Sequence, residues 1–91
     1  MAGIRKVVLD VLIPLQISSI DLAKKLSKMK GVDGVDINIH EVERKVEIAK
    51  LTIIGDELDF DLLKKSIEDT GASIQSVDRV LAGKNVVEWV E

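Results

Sequence analysis

Few residues in this chain have the types and spacing that chemistry requires. Asp10, Asp36, His40 and Asp78 each lie within an apolar-rich, alternating segment. A carboxylate–imidazole group of that make-up suits a divalent cation, calcium or magnesium for the oxygen donors. The competing reading is an ion-pair network with Lys6, Lys50 or Arg79. No metal-ligand spacing motif is present, which favours the network. Asp56, Glu57, Asp59 and Asp61 form a second acidic set. They lack the D-x-[DN]-x-[DN]-G pattern and terminal glutamate of a calcium loop. Asp59 and Asp61 already have a role as helix cap and first-turn acid.

His40 is the only histidine. A nucleophilic triad would need a serine beside it, an orienting acid and an oxyanion hole. The serines fall mostly at helix ends and in the last core strand, so a non-enzymatic protein is expected. Gly31-Val32-Asp33-Gly34 follows a helix, whereas phosphate loops follow a strand and open a helix. These glycines read as a helix stop and a turn.

Composition narrows the field further. The 91 residues contain no cysteine, which removes disulfides, thiolate metal sites and thiol catalysis. The net charge is −3 and no basic stripe is visible. Phe60 and Trp89 are the only aromatics. Nucleic acid is therefore not an expected partner, because phosphates call for clustered cations and bases for stacking surfaces. Apolar runs such as Val11-Leu12-Ile13 are far too short to span a bilayer. The first residues lack the uninterrupted apolar stretch of a signal peptide. No membrane association and a cytoplasmic location are expected.

The elements that position these residues follow from periodicity. Residues 4–13 read as a strand ended by Pro14. Ser18 caps a helix with an Ile17/Leu22 staple, a stripe of Ile20, Ala23, Leu26 and Met29, and Gly31 as its stop. Residues 35–42 and 46–54 alternate as strands, and Gly55-Asp56-Glu57 reads as a break. Asp59 caps a second helix with a Leu58/Leu63 staple, a stripe of Phe60, Leu63 and Ile67, and Gly71 as its end. Residues 73–81 make a fourth strand. The order β-α-β-β-α-β predicts an α+β, ferredoxin-like sandwich with antiparallel strand order 4-1-3-2. The chain is read as one domain over 1–91, with its core in 4–83 and a tail over 84–91. The apolar tail, Val86 to Val90, reads as an extra short C-terminal strand.

Two helices cover one sheet face. The other is expected to carry Val8, Leu12, Val42, Ile48 and Ile54 around Asp10 and Lys50. So apolar an open face points to a partner or ligand. With Val87 and Trp89 in the tail, the expected partner is a second copy, with a small-molecule ligand or ion held at the subunit contacts. The tail folding back on its own domain is the alternative.

The ordered set Leu9-Asp10-Val11-Leu12-Ile13-Pro14, Gly31-Val32-Asp33-Gly34-Val35-Asp36-Ile37, Glu41-Val42-Glu43-Arg44, Gly71-Ala72-Ser73-Ile74, Ser76-Val77-Asp78 and Ala82-Gly83-Lys84 resembles a family of small, mainly archaeal proteins, domain of unknown function 211. The resemblance implies a ferredoxin-like fold and oligomers, and brings no reaction or catalytic residue. Other proteins of this architecture differ at the loop after the first strand. That loop, Pro14-Leu15-Gln16-Ile17, lacks the thiols of heavy-metal-binding domains, the glycine of ACT domains and the arginine of acylphosphatases. Fold alone licenses none of those functions.

Overall fold

A computed structural model describes residues 3–85. The elements run β1 (Ile4–Pro14), α1 (Ser19–Ser27), β2 (Val32–Glu43), β3 (Val46–Leu58), α2 (Phe60–Asp69) and β4 (Ser73–Ala82). All strand pairings are antiparallel, in the order β2-β3-β1-β4. Counted from the opposite edge this is 4-1-3-2. The result is a small α+β fold with four antiparallel strands and two helices, consistent with a split βαβ. The expected C-terminal strand, with Val87 and Trp89, lies outside the described residues.

Alternation on the two central strands builds the core. Val7, Leu9, Val11 and Ile13 of β1 and Ala49, Leu51 and Ile53 of β3 are buried on one face. Leu22, Leu26, Leu63 and Ile67 of the helices pack against them. Both helix starts follow their caps. Asp21 N–H donates to Ser18 Oγ at 3.2 Å, and Leu62 N–H to Asp59 Oδ1 at 3.2 Å. Each bond satisfies an amide that has no partner within its helix. Ile17 packs on the core above buried Leu22, and Leu58 and Leu63 are both buried, as the staples require. The stripe of α1 differs from expectation. Leu22 and Leu26 face the sheet, whereas Ile20 is 67% exposed. Both sets fit a helical period, and the short α1 turns its Leu22 side inward.

Two boundaries and one face assignment also differ. β2 begins at Val32 rather than residue 35, and β3 runs to Leu58 through the supposed break at Gly55-Asp56-Glu57. Asp56 N–H donates to the Gly31 carbonyl at 3.0 Å, and Gly55 pairs with Val32. The strand therefore continues across the residue that closes α1. Glycine at position 55 makes this close approach possible. An added Cβ would overlap the Gly31 carbonyl oxygen and come within 2.6 Å of Leu58 Cδ2. Gly31 itself adopts φ +86, where an L side chain is strained.

The third difference concerns faces. A bulge between Ile39 and Glu41 makes His40 the extra residue of β2. Beyond it, Val42 pairs with Glu47, which itself pairs with buried Ile13. Val42 thus belongs to the helix-side face rather than the open face, because one added residue inverts the alternation.

Two stability predictions follow from these contacts. Gly55→Ala should lower unfolding free energy by about 2–4 kcal/mol, since backbone must move to admit the methyl group. Asp59→Ala should lower it by about 1 kcal/mol through the lost cap. Urea unfolding followed by circular dichroism reads both, and a Gly55→Ala protein as stable as the parent would contradict the close approach.

Candidate functional site

The open face has a polar centre built from three adjacent strands. Asp10 of β1 pairs with Lys50 of β3 on one side and with Ser76 of β4 on the other. Their neighbours along β1 and β3 are buried core residues, so period-two alternation turns Asp10 and Lys50 away from the helices. Asp78 reaches the same face by another route. Val8 pairs with Arg79 and Leu9 with Val77, which leaves Asp78 as the extra residue of a bulge. A bulge re-aims the side chains around it. Here it adds a carboxylate to the open face without moving Val77 or Val80 off the helix side, where they pair with buried Leu9 and Val7.

The groups are held together closely. Lys50 Nζ lies 3.2 Å from Asp78 Oδ2 and 3.7 Å from Asp10 Oδ1. Ser76 Oγ donates to Asp78 Oδ1 at 2.7 Å, with a longer contact of 3.5 Å to Asp10 Oδ2. The Ser76 hydroxyl, then the Lys50 ammonium, hold the Asp78 carboxyl below the ordinary carboxylate range. The bond to Asp78, then the charge of Asp10, raise Lys50 above the ordinary lysine range. Two carboxylates and one ammonium leave one net negative charge on this centre.

The other expected ligands lie elsewhere. Asp36 and His40 belong to β2, the edge strand opposite β4. The set Asp10, Asp36, His40 and Asp78 is therefore not gathered; Asp10 and Asp78 meet, with Lys50 between them. Asp56, Glu57, Asp59 and Asp61 are not gathered either, and among the described residues no three metal-type side chains form a cluster. Asp59 is the cap of α2 and Asp61 lies in its first turn. Lys6 and Arg79, the other expected cations of the network, make no ion pair among the described residues. Glu41 and Glu43 are a pair that sequence reasoning missed. The hydrogen bond to Glu41 and its like charge raise the Glu43 carboxyl. The signal for them was the same bulge at His40, which brings both glutamates to the face of Ile48 and Val46.

Around the polar centre, Val8, Leu12 and Ile48 are half-buried and Ile54 is 45% exposed. Fold and site together define a small α+β protein with one sheet face packed under two helices and the other uncovered by any of the described residues, apolar with an ion-paired centre. No described helix is long and apolar enough to cross a membrane. The chain belongs to the domain of unknown function 211 family, described as "Uncharacterized ArCR", whose pattern matches residues 5–91. It is 43% identical over 90 residues to an uncharacterised protein of the archaeon Methanocaldococcus jannaschii. That alignment covers 99% of this chain and 93% of the relative.

The pKa directions set a pH window. Asp78, lowered on folding, supports stability above the ordinary carboxylate pKa and loses that support as pH falls through its folded value. Lys50, raised on folding, supports stability below the ordinary lysine pKa and loses it as pH rises through its folded value. The Lys50–Asp78 pair is therefore formed between about pH 4 and about pH 10. Lys50→Met should raise the Asp78 pKa toward the ordinary value in a carboxyl NMR titration. An unchanged Asp78 titration would show that Lys50 does not hold it.

Proposed function

We propose that this protein is a non-enzymatic, self-associating module whose open sheet face is a subunit contact, with a small ligand or ion held there. The observation that carries the reading is the face itself. Val8, Leu12, Ile48 and Ile54 surround acids already paired to Lys50. Covering a face removes its polar groups from water, and an unpaired charge there would oppose association. The central charges of this face, Asp10, Asp78 and Lys50, are partnered with one another within the chain. A second copy is the occupant that meets the apolar residues with an equal set of its own, as a two-fold contact does.

Two such faces brought together would place two singly negative centres near each other. A small cation at the contact relieves that repulsion, and oxygen donors favour calcium or magnesium. This is the form in which divalent-metal binding fits Asp10 and Asp78. Asp36, His40 and the acidic set at 56–61 do not join them.

Light scattering on the full chain gives the test. At about 50 μM, a concentration at which obligate interfaces are saturated, a defined oligomer is expected. Ile48→Lys should lower its mass while leaving the circular dichroism spectrum unchanged. Magnesium or calcium should strengthen the assembly, and a chelator should weaken it. A monomeric parent chain at this concentration would sink the proposal and direct the search to a different protein partner.

A further inference from the structure

A second surface runs along one edge of the sheet, beside the open face. β4 is an edge strand, so one side of its backbone has no partner within the described residues. Val77 and Val80 point to the helix side, where their partners in β1 are buried, yet they are 45% and 51% exposed. Between them, Asp78 and Arg79 both belong to the open face. The bulge therefore gives the segment Val77-Asp78-Arg79-Val80 the face pattern helix-side, open, open, helix-side.

This pattern is its own complement under a two-fold axis. Two antiparallel copies of β4, centred between residues 78 and 79, set Val77 opposite the partner's Val80 and Val80 opposite the partner's Val77. Asp78 then stands opposite the partner's Arg79, and Arg79 opposite the partner's Asp78. Directly opposed residues in an antiparallel pair share a face. Every opposed pair here meets that condition: valine meets valine on the helix side, and acid meets base on the open side. A regular strand without the bulge would put Asp78 and Arg79 on opposite faces, and the match would fail. Arg79 also supplies the cation that this register needs, since it makes no ion pair among the described residues.

We infer that a second copy of this chain docks edge to edge along β4, in the two-fold register that opposes Val77 to the partner's Val80 and Asp78 to the partner's Arg79. The occupant is a second copy because the edge is complementary to itself in both apolar pattern and charge. Exposed strand edges are templates for pairing, and a two-fold contact closes both edges at once. The edge contact and the open-face contact share Asp78 but not Ile48, Val77 or Val80, so substitutions at those three residues tell the two apart.

The absence of cysteine makes the test direct. Two full-length variants, Val77→Cys and Val80→Cys, are oxidised separately and after mixing. In the inferred register, identical positions on the two copies are offset by the span Val77 to Val80, which matches two residues of β1; with the spacing between strands they lie about 8 Å apart, too far for a disulfide. Each variant alone should stay uncross-linked, whereas the mixture should yield covalent dimer from about half of the chains, the share set by random pairing. Adding Arg79→Asp to both variants opposes two carboxylates and should reduce the yield about tenfold. Ile48→Lys should leave the yield unchanged even if it lowers the mass of the assembly. Circular dichroism confirms that each variant is folded. No dimer in the mixture would overturn the inference, whether the edge is bare or covered by residues 86–91. Equal yields from the single variants would overturn the register.

Discussion

The architecture depends on β1 lying in the interior of the sheet. Its odd-numbered residues from Val7 to Ile13 are essentially inaccessible, because β3 and β4 flank the strand and Leu22, Leu26, Leu63 and Ile67 of the helices share its core. The period of two then leaves the even-numbered residues no choice. Val8, Asp10 and Leu12 must occupy the other face, and neither described helix covers them. Burying one side of this central strand contributes four of the thirteen buried core residues among those described, Val7, Leu9, Val11 and Ile13. The same geometry sets an acid in the middle of the uncovered side. Lys50, brought opposite Asp10 by the β1–β3 register, is the compensation.

Much of this was legible from the residues. The alternation in β1 and in the middle of β3 identified the buried and open faces, because nothing interrupts the period there. Ser18 and Asp59 announced both helix starts through their side-chain chemistry. The misreadings have three physical causes. Gly55-Asp56-Glu57 looked like a break because glycine and acids are poor strand formers. Glycine is there because a neighbouring backbone passes too close for a side chain. Val42 was assigned to the wrong face because His40 is an extra residue, and one added residue inverts all that follow it. The stripe of α1 differs because steps of three residues drift around the helix, so Leu26 shares the face of Leu22 while Ile20 lies nearly opposite it.

The candidate site was legible in its members but not in its grouping. Asp10, Lys50 and Asp78 stood out as charged residues within apolar segments. Which of the acids would meet was decided by strand order, which sets β2 and β4 at opposite edges. Asp36 and His40 were thereby separated from Asp78. Two adjacent polar residues between apolar ones, as at Asp78-Arg79, are the sequence trace of a bulge, and they explain how both reach one face.

The bulge at Asp78 also bears on how such a chain can change over generations. Remove that single residue, and Val77, Arg79 and Val80 fall into ordinary alternation, each still on the face it now occupies. Asp78 is in this sense an interpolated residue. A lineage can gain or lose its carboxylate by one codon insertion or deletion without reassigning any other side chain of β4. Most single-residue length changes inside a strand scramble its faces. At this position, length variation is a route for altering the charge of the open face while the hydrophobic interior is conserved.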